Sequence, residues 1–166
     1  GMSEGAGNED QTIRGPMSWS GEAHAGFTTA AKPYRPNVSN WKTHNVAAEQ
    51  ANPESLLAWY RSLITLRTAE PALSVGTMTT LSERDAPIFA FTLEHEGSRL
   101  LVLINFAYRD STLTLPAGFQ ADGWTVAFPT GAALPLVAAK KGNAAKPGTE
   151  AAQVKLAAQQ VVILKA

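Results

Sequence analysis

The sequence predicts a mainly β protein in which an antiparallel sandwich follows a long polar loop and one amphipathic helix. Three observations predict this order. Residues 1–52 show no sustained apolar period, residues 53–69 repeat apolar side chains at the helical spacing, and alternation with a period of two begins at Ser74. Hydrophobic residues make up 45% of the 166 positions, which is enough to build the core of one domain.

Composition excludes several classes of function. The formal net charge is zero and charged residues make up only 17% of the chain, so there is no basic footprint for nucleic acid or for an anionic membrane. The absence of cysteine excludes disulfides and thiolate chemistry. His24, His44 and His95 lie far apart without a ligand spacing, and we expect neither a metal nor another cofactor.

The long loop of residues 1–52 is rich in aromatic side chains as well as in Gly, Asn, Ser, Thr and Pro. It contains Trp19, Phe27, Tyr34 and Trp41. Because disordered linkers are poor in aromatic residues, these four side chains predict a loop that is held on a folded surface.

A helix is predicted over residues 53–69. Asn52 suits the N-cap, Pro53 suits the first helical position, and Pro71 ends the helix. The helical stripe consists of Leu56, Leu57, Tyr60, Leu63, Ile64 and Arg67, and Trp59 and Leu66 widen its apolar part. One small sandwich does not need a stripe of this width, so we expect the helix to fold back onto the sandwich or to be buried in a dimer.

Short strands are predicted from Ser74 onward. The segments are Val75–Leu81, Ile88–Glu94, Arg99–Phe106, Ser111–Leu115, Trp124–Phe128 and Val161–Lys165. Both faces of Leu100–Ile104 are apolar, which predicts a central strand that is covered on both sides. The stretch from Ala138 to Ala152 is predicted to be a surface excursion between late strands.

The first part of the chain also contains short motifs in a fixed order. They are Arg14-Gly15-Pro16-Met17-Ser18-Trp19, Ala25-Gly26-Phe27, Asn45-Val46, Asn52-Pro53, Tyr60-Arg61, Leu66-Arg67, Pro71-Ala72-Leu73 and Gly76. This succession resembles the carboxy-terminal region of the α-amylase superfamily, glycoside hydrolase family 13, and in particular its α-glucosidase, oligo-1,6-glucosidase and trehalose synthase branches. The resemblance runs through residues 2–106 in order and is looser in the rest of the β domain.

The resemblance implies a division into two domains. Residues 1–73 correspond to the tail of a (β/α)₈ catalytic barrel, namely the loop after strand eight and the eighth helix. Residues 74–166 correspond to the antiparallel Greek-key β-sandwich that follows the barrel in the family. Since the loops that follow barrel strands build the active site, residues 1–52 are expected near a glucose pocket of the intact enzyme.

The family's chemistry is retaining hydrolysis of α-glucosidic bonds. It uses two carboxyl groups about 5 Å apart, with a third acid that grips the sugar hydroxyls. In the family these acids lie on barrel strands four, five and seven, which have no counterpart in this chain. The local acids Glu9-Asp10, Glu22, Glu94 and Glu96 are interpreted as solvated polar groups. We therefore expect the chain to be catalytically inactive by itself.

Candidate sugar contacts in the intact barrel are Arg14, Trp19, Phe27 and Tyr34. In the family the arginine that matches Arg14 pairs with an aspartate from an early barrel loop, and a guanidinium suits that role because its planar fork meets a carboxylate with two hydrogen bonds. The aromatic rings offer planes for the C–H faces of sugars, although such residues more often anchor a loop. Tyr34 stands where the family frequently has tryptophan, which bears on the substrate and not on the family.

Two other interpretations stay open. The chain is either a free-standing carbohydrate-binding β module or an assembly piece that joins the missing barrel, or a second copy, through the face of the 53–69 helix. Phe119, Trp124 and Phe128 are the aromatic residues that the sandwich offers as a binding platform, but their spacing favours the core. The resemblance implies that the partner in the intact enzyme is an α-glucosidic oligosaccharide.

Overall fold

The computed structural model describes residues 14–137 and 151–166. The chain forms two compact units, which divide between Arg61 and Ser62. This boundary falls inside the long helix, whereas the resemblance predicts a domain boundary between residues 73 and 74, which stays a prediction. The predictions for Glu9-Asp10 and for most of the stretch from Ala138 to Ala152 concern residues outside the described ones.

The first unit contains a 3₁₀ turn at Ala23–Gly26, a short helix α1 at Val46–Ala51 and the start of helix α2, which spans Leu56–Ala69. The prediction that α2 begins at residue 53 is wrong by three residues. Ser55 caps the helix, because its hydroxyl oxygen accepts a hydrogen bond from the Ala58 N–H at 3.1 Å. The Asn52 side chain instead accepts a bond from the Glu54 N–H at 2.9 Å and forms a turn ahead of the helix.

The second unit contains the rest of α2, helix α3 at Ala72–Val75 and two antiparallel sheets. The strands are β1 Thr77–Thr80, β2 Ile88–His95, β3 Ser98–Asn105, β4 Ser111–Thr114, β5 Thr125–Phe128, β6 Leu136–Val137, β7 Gln153–Leu156 and β8 Val161–Lys165. The larger sheet has the order β1-β2-β3-β8-β5 and the smaller has the order β4-β7-β6. The mainly antiparallel β class is confirmed, whereas the Greek-key detail stays a prediction.

One predicted strand needs correction at its start, and two strands were missed. The first strand begins at Thr77 and not at Val75, because Ala72–Val75 forms α3. Strands β6 and β7 were not predicted, although β7 alternates exposed Gln153 and Lys155 with buried Val154 and Leu156. Strand β8 has the predicted bounds.

The hairpin between β2 and β3 turns at Glu96 and Gly97. Both residues have positive φ, at 47° and 83°. Two central residues in this region form the turn type whose twist matches that of antiparallel strands, and glycine adopts it without steric cost. Glu94–Arg99 and His95–Ser98 are therefore paired in register next to the turn.

The core confirms that β3 is central and covered on both faces. One cluster joins the two sheets, since it contains Leu101 and Leu103 of β3 together with Val154 of the smaller sheet. A second cluster on the other face contains Leu100 and Val102. Alternate residues of one strand thus enter two different cores, as the all-apolar run predicts.

The outer face of the larger sheet is covered by the carboxy-terminal half of α2 and by α3. Leu63 and Leu66 pack against the second cluster, which includes the fully buried Ala72. Glu70, just after the helix, pairs with Lys165 at 2.5 Å and accepts a hydrogen bond from the Ser98 hydroxyl at 3.1 Å.

The apolar stripe of α2 is only partly covered. The expected folding of the helix onto the sandwich holds for Leu63 and Leu66, but Leu56, Tyr60 and Ile64 are exposed. These three residues are spaced by four and lie along one face of the helix. Burial of this face in a dimer stays a prediction.

Candidate functional site

The loop that contains the Arg14–Trp19 motif is closed by backbone hydrogen bonds. The Trp19 N–H donates to the Ala25 carbonyl at 2.8 Å. The Ser18 and Trp19 carbonyls accept bonds from the N–H groups of Val46 and Ala47, each at 3.0 Å. Since the first N–H groups of a helix have no partner inside the helix, the loop is seated on the amino-terminal turn of α1.

The Ala25-Gly26 motif is a tight turn in which both residues have positive φ. Gly26 has φ +66°, and a Cβ atom at this position would lie 2.6 Å from the Ser20 hydroxyl oxygen. Ala25 itself is fully buried with φ 59°. The motif therefore has a structural explanation, because positive φ and close approach both disfavour a side chain at Gly26.

Asn45 of the Asn-Val motif is a buried cap for α1. Its side-chain oxygen accepts a hydrogen bond from the Ala48 N–H at 2.9 Å, and its amide nitrogen donates to the Trp41 carbonyl at 2.9 Å. This geometry satisfies one of the free N–H groups of the helix and holds the preceding loop. Asn45 is therefore part of the frame of the site.

The predicted sugar contacts lie at different places on this frame. Trp19 and Phe27 flank the turn at Ala25, and each is about half exposed. Tyr34 is 97% exposed, with the Arg35 guanidinium 5.9 Å from the centre of its ring. Arg14 is exposed at the start of the described residues. Their assignment as sugar contacts stays a prediction.

The first unit also contains a groove of about 560 Å³, which we call the Tyr60 groove. It is lined by Gly15, Pro16, Met17, Ser18, Val38, His44, Asn45, Val46, Glu49, Leu56, Leu57 and Tyr60. The groove was not predicted, because its walls come from four separate segments of the sequence. It shares Met17 and Ser18 with the motif loop, whereas Trp19, Phe27 and Tyr34 do not line it.

The acidic side chains with printed contacts are engaged in structural interactions. A Glu49 carboxylate oxygen accepts a hydrogen bond from the Leu57 N–H at 3.3 Å, and Asp110 accepts one from the Ala158 N–H at 3.3 Å. Glu94 lies 2.8 Å from the Arg99 Nε in an ion pair that lacks hydrogen-bond alignment. Within residues 14–137 and 151–166, no group of three His, Cys, Asp or Glu side chains is placed to hold a metal.

The sequence interpretation missed two exposed aromatic residues on the sandwich. Phe106 and Tyr108 are largely exposed on the connection between β3 and β4. Trp124 and Phe128, by contrast, are buried as expected. The signal for the pair was the turn composition after Asn105, where aromatic residues fall outside the alternating pattern of the strands.

Asn105 holds the connection that carries these aromatic residues. Its buried amide nitrogen donates to the carbonyls of Ala157 at 2.7 Å and Arg109 at 2.9 Å. Its side-chain oxygen accepts a bond from the Ala107 N–H at 3.0 Å. Asn105 thus fastens the loop at Ala107 and Arg109 and ties it to the segment after β7 at Ala157.

Comparison with known proteins indicates the class of protein to which the chain belongs. The family described as "Alpha amylase, catalytic domain" matches residues 2–76. The chain is similar to oligo-1,6-glucosidase of Parageobacillus thermoglucosidasius, with 34% identity over 62% of this chain and 18% of that protein. It is also similar to trehalose-6-phosphate hydrolase of Bacillus subtilis strain 168, with 30% identity over 67% of this chain and 20% of that protein.

The chain is also similar in fold and sequence to a solved structure. Trehalulose synthase MutB of Pseudomonas mesoacidophila MX-45 superposes with a TM-score of 0.63 and 31% identity, over 89% of this chain and 24% of that chain. The motifs, the β-rich fold and these relatives together define a segment of α-amylase-type glycosidase origin. The chain belongs to the α-amylase family, glycoside hydrolase family 13. It spans about a fifth of the length of the curated relatives it matches.

Among the helices that the described residues form, none is long and apolar enough to cross a membrane.

Proposed function

We propose that this chain is the carboxy-terminal segment of a glycoside hydrolase that acts on α-glucosidic bonds by the retaining mechanism. The observation that carries the proposal is the match of residues 2–76 to a catalytic domain. The named relatives support the substrate class, since oligo-1,6-glucosidase, trehalose-6-phosphate hydrolase and trehalulose synthase are all named for α-glucosidic sugars.

In this proposal the nucleophile and the acid come from barrel strands that precede the segment. One carboxylate attacks the anomeric carbon to form a glycosyl-enzyme, while the other protonates the leaving oxygen and then activates water. The segment contributes the loop held by Ala25 and Asn45. Arg14 would close the far end of the glucose pocket through two hydrogen bonds to a carboxylate.

The chain alone is then inactive. The structural engagement of Glu49, Glu70, Glu94 and Asp110 supports this, because a retaining site needs two carboxyl groups about 5 Å apart that are available to the sugar. Release of p-nitrophenol from p-nitrophenyl α-glucoside by the purified chain should not exceed background, with intact oligo-1,6-glucosidase as the positive control. Sustained turnover that is lost on substitution of Glu9 or Asp10 would refute inactivity.

The role of the segment is tested by a fusion. The matching part of the oligo-1,6-glucosidase of Parageobacillus thermoglucosidasius is replaced by this chain, and kcat/KM is measured on the same glucoside. We expect turnover, and Arg14→Ala should lower kcat/KM by roughly 10- to 100-fold, the worth of charged hydrogen bonds. Arg35→Ala is the matched control. A folded fusion without turnover would refute the proposed function.

A second candidate, a carbohydrate-binding module, is favoured by the exposed Phe106 and Tyr108 alone. The loop that carries Phe106 and Tyr108 is held by hydrogen bonds to Asn105, and aromatic rings offer planes on which sugar rings can stack. Calorimetry with maltoheptaose decides this point: binding that disappears in Tyr108→Ala and persists in Tyr34→Ala would support the module. An absence of heat at millimolar sugar would reject it.

A further inference from the structure

The first unit contains a second concavity, which is formed by one continuous loop. Its volume is about 800 Å³, and we call it the Phe27 pocket. All of its lining residues fall within the range 22–31, whereas the Tyr60 groove is built from separate segments. The lining includes Glu22, His24, Phe27, Thr28 and Thr29. The shape of the pocket therefore depends on the conformation of this loop.

A left-handed turn sets that conformation. His24, Ala25 and Gly26 have positive φ values of 53°, 59° and 66°. A residue with a side chain adopts this conformation at an energetic cost, so it persists where the surrounding structure holds it, and such residues cluster at ligand-binding sites. The turn in the Phe27 pocket should therefore be held by contacts from outside the turn.

Hydrogen bonds from outside the turn provide this support. The Ala25 carbonyl accepts bonds from the N–H groups of Trp19 at 2.8 Å and Ser20 at 3.0 Å. The His24 carbonyl accepts a bond from the side-chain amide of Asn37 at 3.3 Å. The backbone that carries His24 is thus fixed by the protein itself, so a ligand would meet a preorganised wall.

The wall of the Phe27 pocket offers polar groups that the protein leaves unused. Among the described residues, the side chains of Glu22 and His24 have no hydrogen-bond or ion-pair partner. The Thr28 hydroxyl oxygen accepts a bond from the Ala30 N–H at 3.1 Å, and the same hydroxyl can still donate its proton. Acceptors and donors therefore stand together in one concavity.

An aromatic ring lies beside these polar groups and narrows the class of ligand. Phe27 is 51% exposed, so part of its ring is open to a ligand. An apolar ligand would leave the Glu22 carboxylate desolvated without a partner, and an anionic ligand would be repelled by it. An uncharged ligand with several hydroxyl groups and one apolar face satisfies both the ring and the carboxylate.

We propose that the Phe27 pocket binds a sugar ring of an α-glucosidic substrate, with Glu22 and His24 as its hydrogen-bonding residues. The Glu22 carboxylate accepts bonds from sugar hydroxyls, the His24 imidazole bonds a further hydroxyl, and the Phe27 ring covers one C–H face of the sugar. This inference rests on the proposed function for the identity of the sugar. It assigns a binding role to two residues outside the set that the family resemblance implies.

The test uses the three histidines of the chain, His24, His44 and His95, as probes. Proton NMR of the 166-residue chain is recorded at constant pH during titration with isomaltose, and each imidazole signal is assigned by replacing one histidine with alanine. We expect isomaltose at millimolar concentration to shift the His24 signal saturably. The signals of His44 and His95 should not move, because neither residue lines the pocket.

Two variants and two matched controls test the wall of the pocket. Glu22→Gln and Phe27→Ala should each raise the Kd obtained from the His24 signal roughly tenfold, the worth of one good contact. Glu54→Gln changes another exposed carboxylate of the first unit, and Met17→Ala changes a side chain that is 53% exposed. Neither control residue lines the pocket, so both controls should leave the Kd within twofold.

Two further measurements verify that the ring of the sugar is recognised. Mannitol, an open-chain polyol, should leave the His24 signal in place. Saturation transfer from the protein to isomaltose should fall at least fivefold in His24→Ala, a readout that does not depend on the lost signal. An equal shift of all three histidine signals, or a response to mannitol as large as that to isomaltose, would overturn the proposal.

The outcomes separate the pocket from the proposed function. A saturable shift of His24 alone, together with a folded fusion that shows no turnover, supports the sugar site and counts against the proposed function. Turnover by the fusion, together with a His24 signal that isomaltose does not move, overturns the sugar site and leaves the proposed function standing. Binding that is unchanged in both Glu22→Gln and Phe27→Ala would place the sugar elsewhere and also overturn the site.

Discussion

The two compact units are ordered by different interactions. In the second unit, two sheets enclose one apolar cluster and helices cover another, so its large side chains are buried on both faces of β3. In the described part of the first unit, backbone and side-chain hydrogen bonds define the loop, while the large apolar side chains face outward. Hydrogen bonds specify a shape but contribute little net stability, whereas apolar burial contributes most of it.

The first unit matches a catalytic domain in sequence, but its described residues bury no large apolar side chain that would stabilise it. Hydrogen bonds of Ser18, Ala25 and Asn45 hold the loop in a defined shape. Several large apolar residues of the same unit are exposed, among them Met17, Leu56 and Tyr60. The second unit should therefore dominate unfolding of the isolated protein.

The largest effect is expected from a core leucine of the second unit. Leu103 is fully buried between the sheets, and Leu103→Ala should lower the free energy of unfolding by about 2–5 kcal/mol. Leu56→Ala, the matched change at an exposed position of the first unit, should cost within about 0.5 kcal/mol. Urea unfolding followed by circular dichroism measures both. Equal losses would mean that the first unit has a core of its own.

An intermediate effect is expected from the buried amide of Asn105. Asn105→Ala removes the donor to the Arg109 and Ala157 carbonyls and the acceptor of the Ala107 N–H. Buried polar groups left without partners cost about 1–3 kcal/mol, so urea unfolding should show a loss of that size.

The control is Gln153→Ala, since this exposed side chain makes one bond, of 3.5 Å, to the Thr114 hydroxyl. Equal losses of unfolding free energy in Asn105→Ala and Gln153→Ala would contradict this prediction. They would mean that the buried amide of Asn105 contributes little to the stability of the second unit.

Much of the fold was predictable because local pattern and burial agree in the second unit. The apolar run Leu100–Ile104 predicts a central strand, and β3 is central with both faces buried. Strand β7 was missed although Gln153–Leu156 alternates, because only four residues alternate at the end of a low-complexity Ala/Lys/Gly stretch. Strand β6 has only two residues and is too short to show the alternation that identifies a strand.

The candidate site was less predictable, because its geometry depends on residues distant in sequence. The motif residues Ala25-Gly26 and Asn45 were identified through the family resemblance, but their roles as turn and cap emerge only from the contacts. The Tyr60 groove joins residues from Gly15 to Tyr60, and no spacing rule in the sequence predicts such a wall. The buried Ser18 hydroxyl likewise has no sequence signal.

The smallest effect distinguishes two cap residues in the first unit. Sequence preference favours Asn52 as the N-cap of α2, yet the Ser55 hydroxyl accepts the Ala58 N–H and also donates to the Glu49 carbonyl at 2.7 Å. Ser55→Ala should therefore cost about 1 kcal/mol of helix stability, and Asn52→Ala, which removes only a turn bond to Glu54, should cost less. Amide hydrogen exchange at Ala58 measures this local loss, which a global melt would hide behind the second unit. Faster exchange in Asn52→Ala than in Ser55→Ala would mean that Asn52 is the N-cap of α2. It would also mean that intrinsic capping preference outweighs the hydrogen bonds of Ser55 to Glu49 and Ala58.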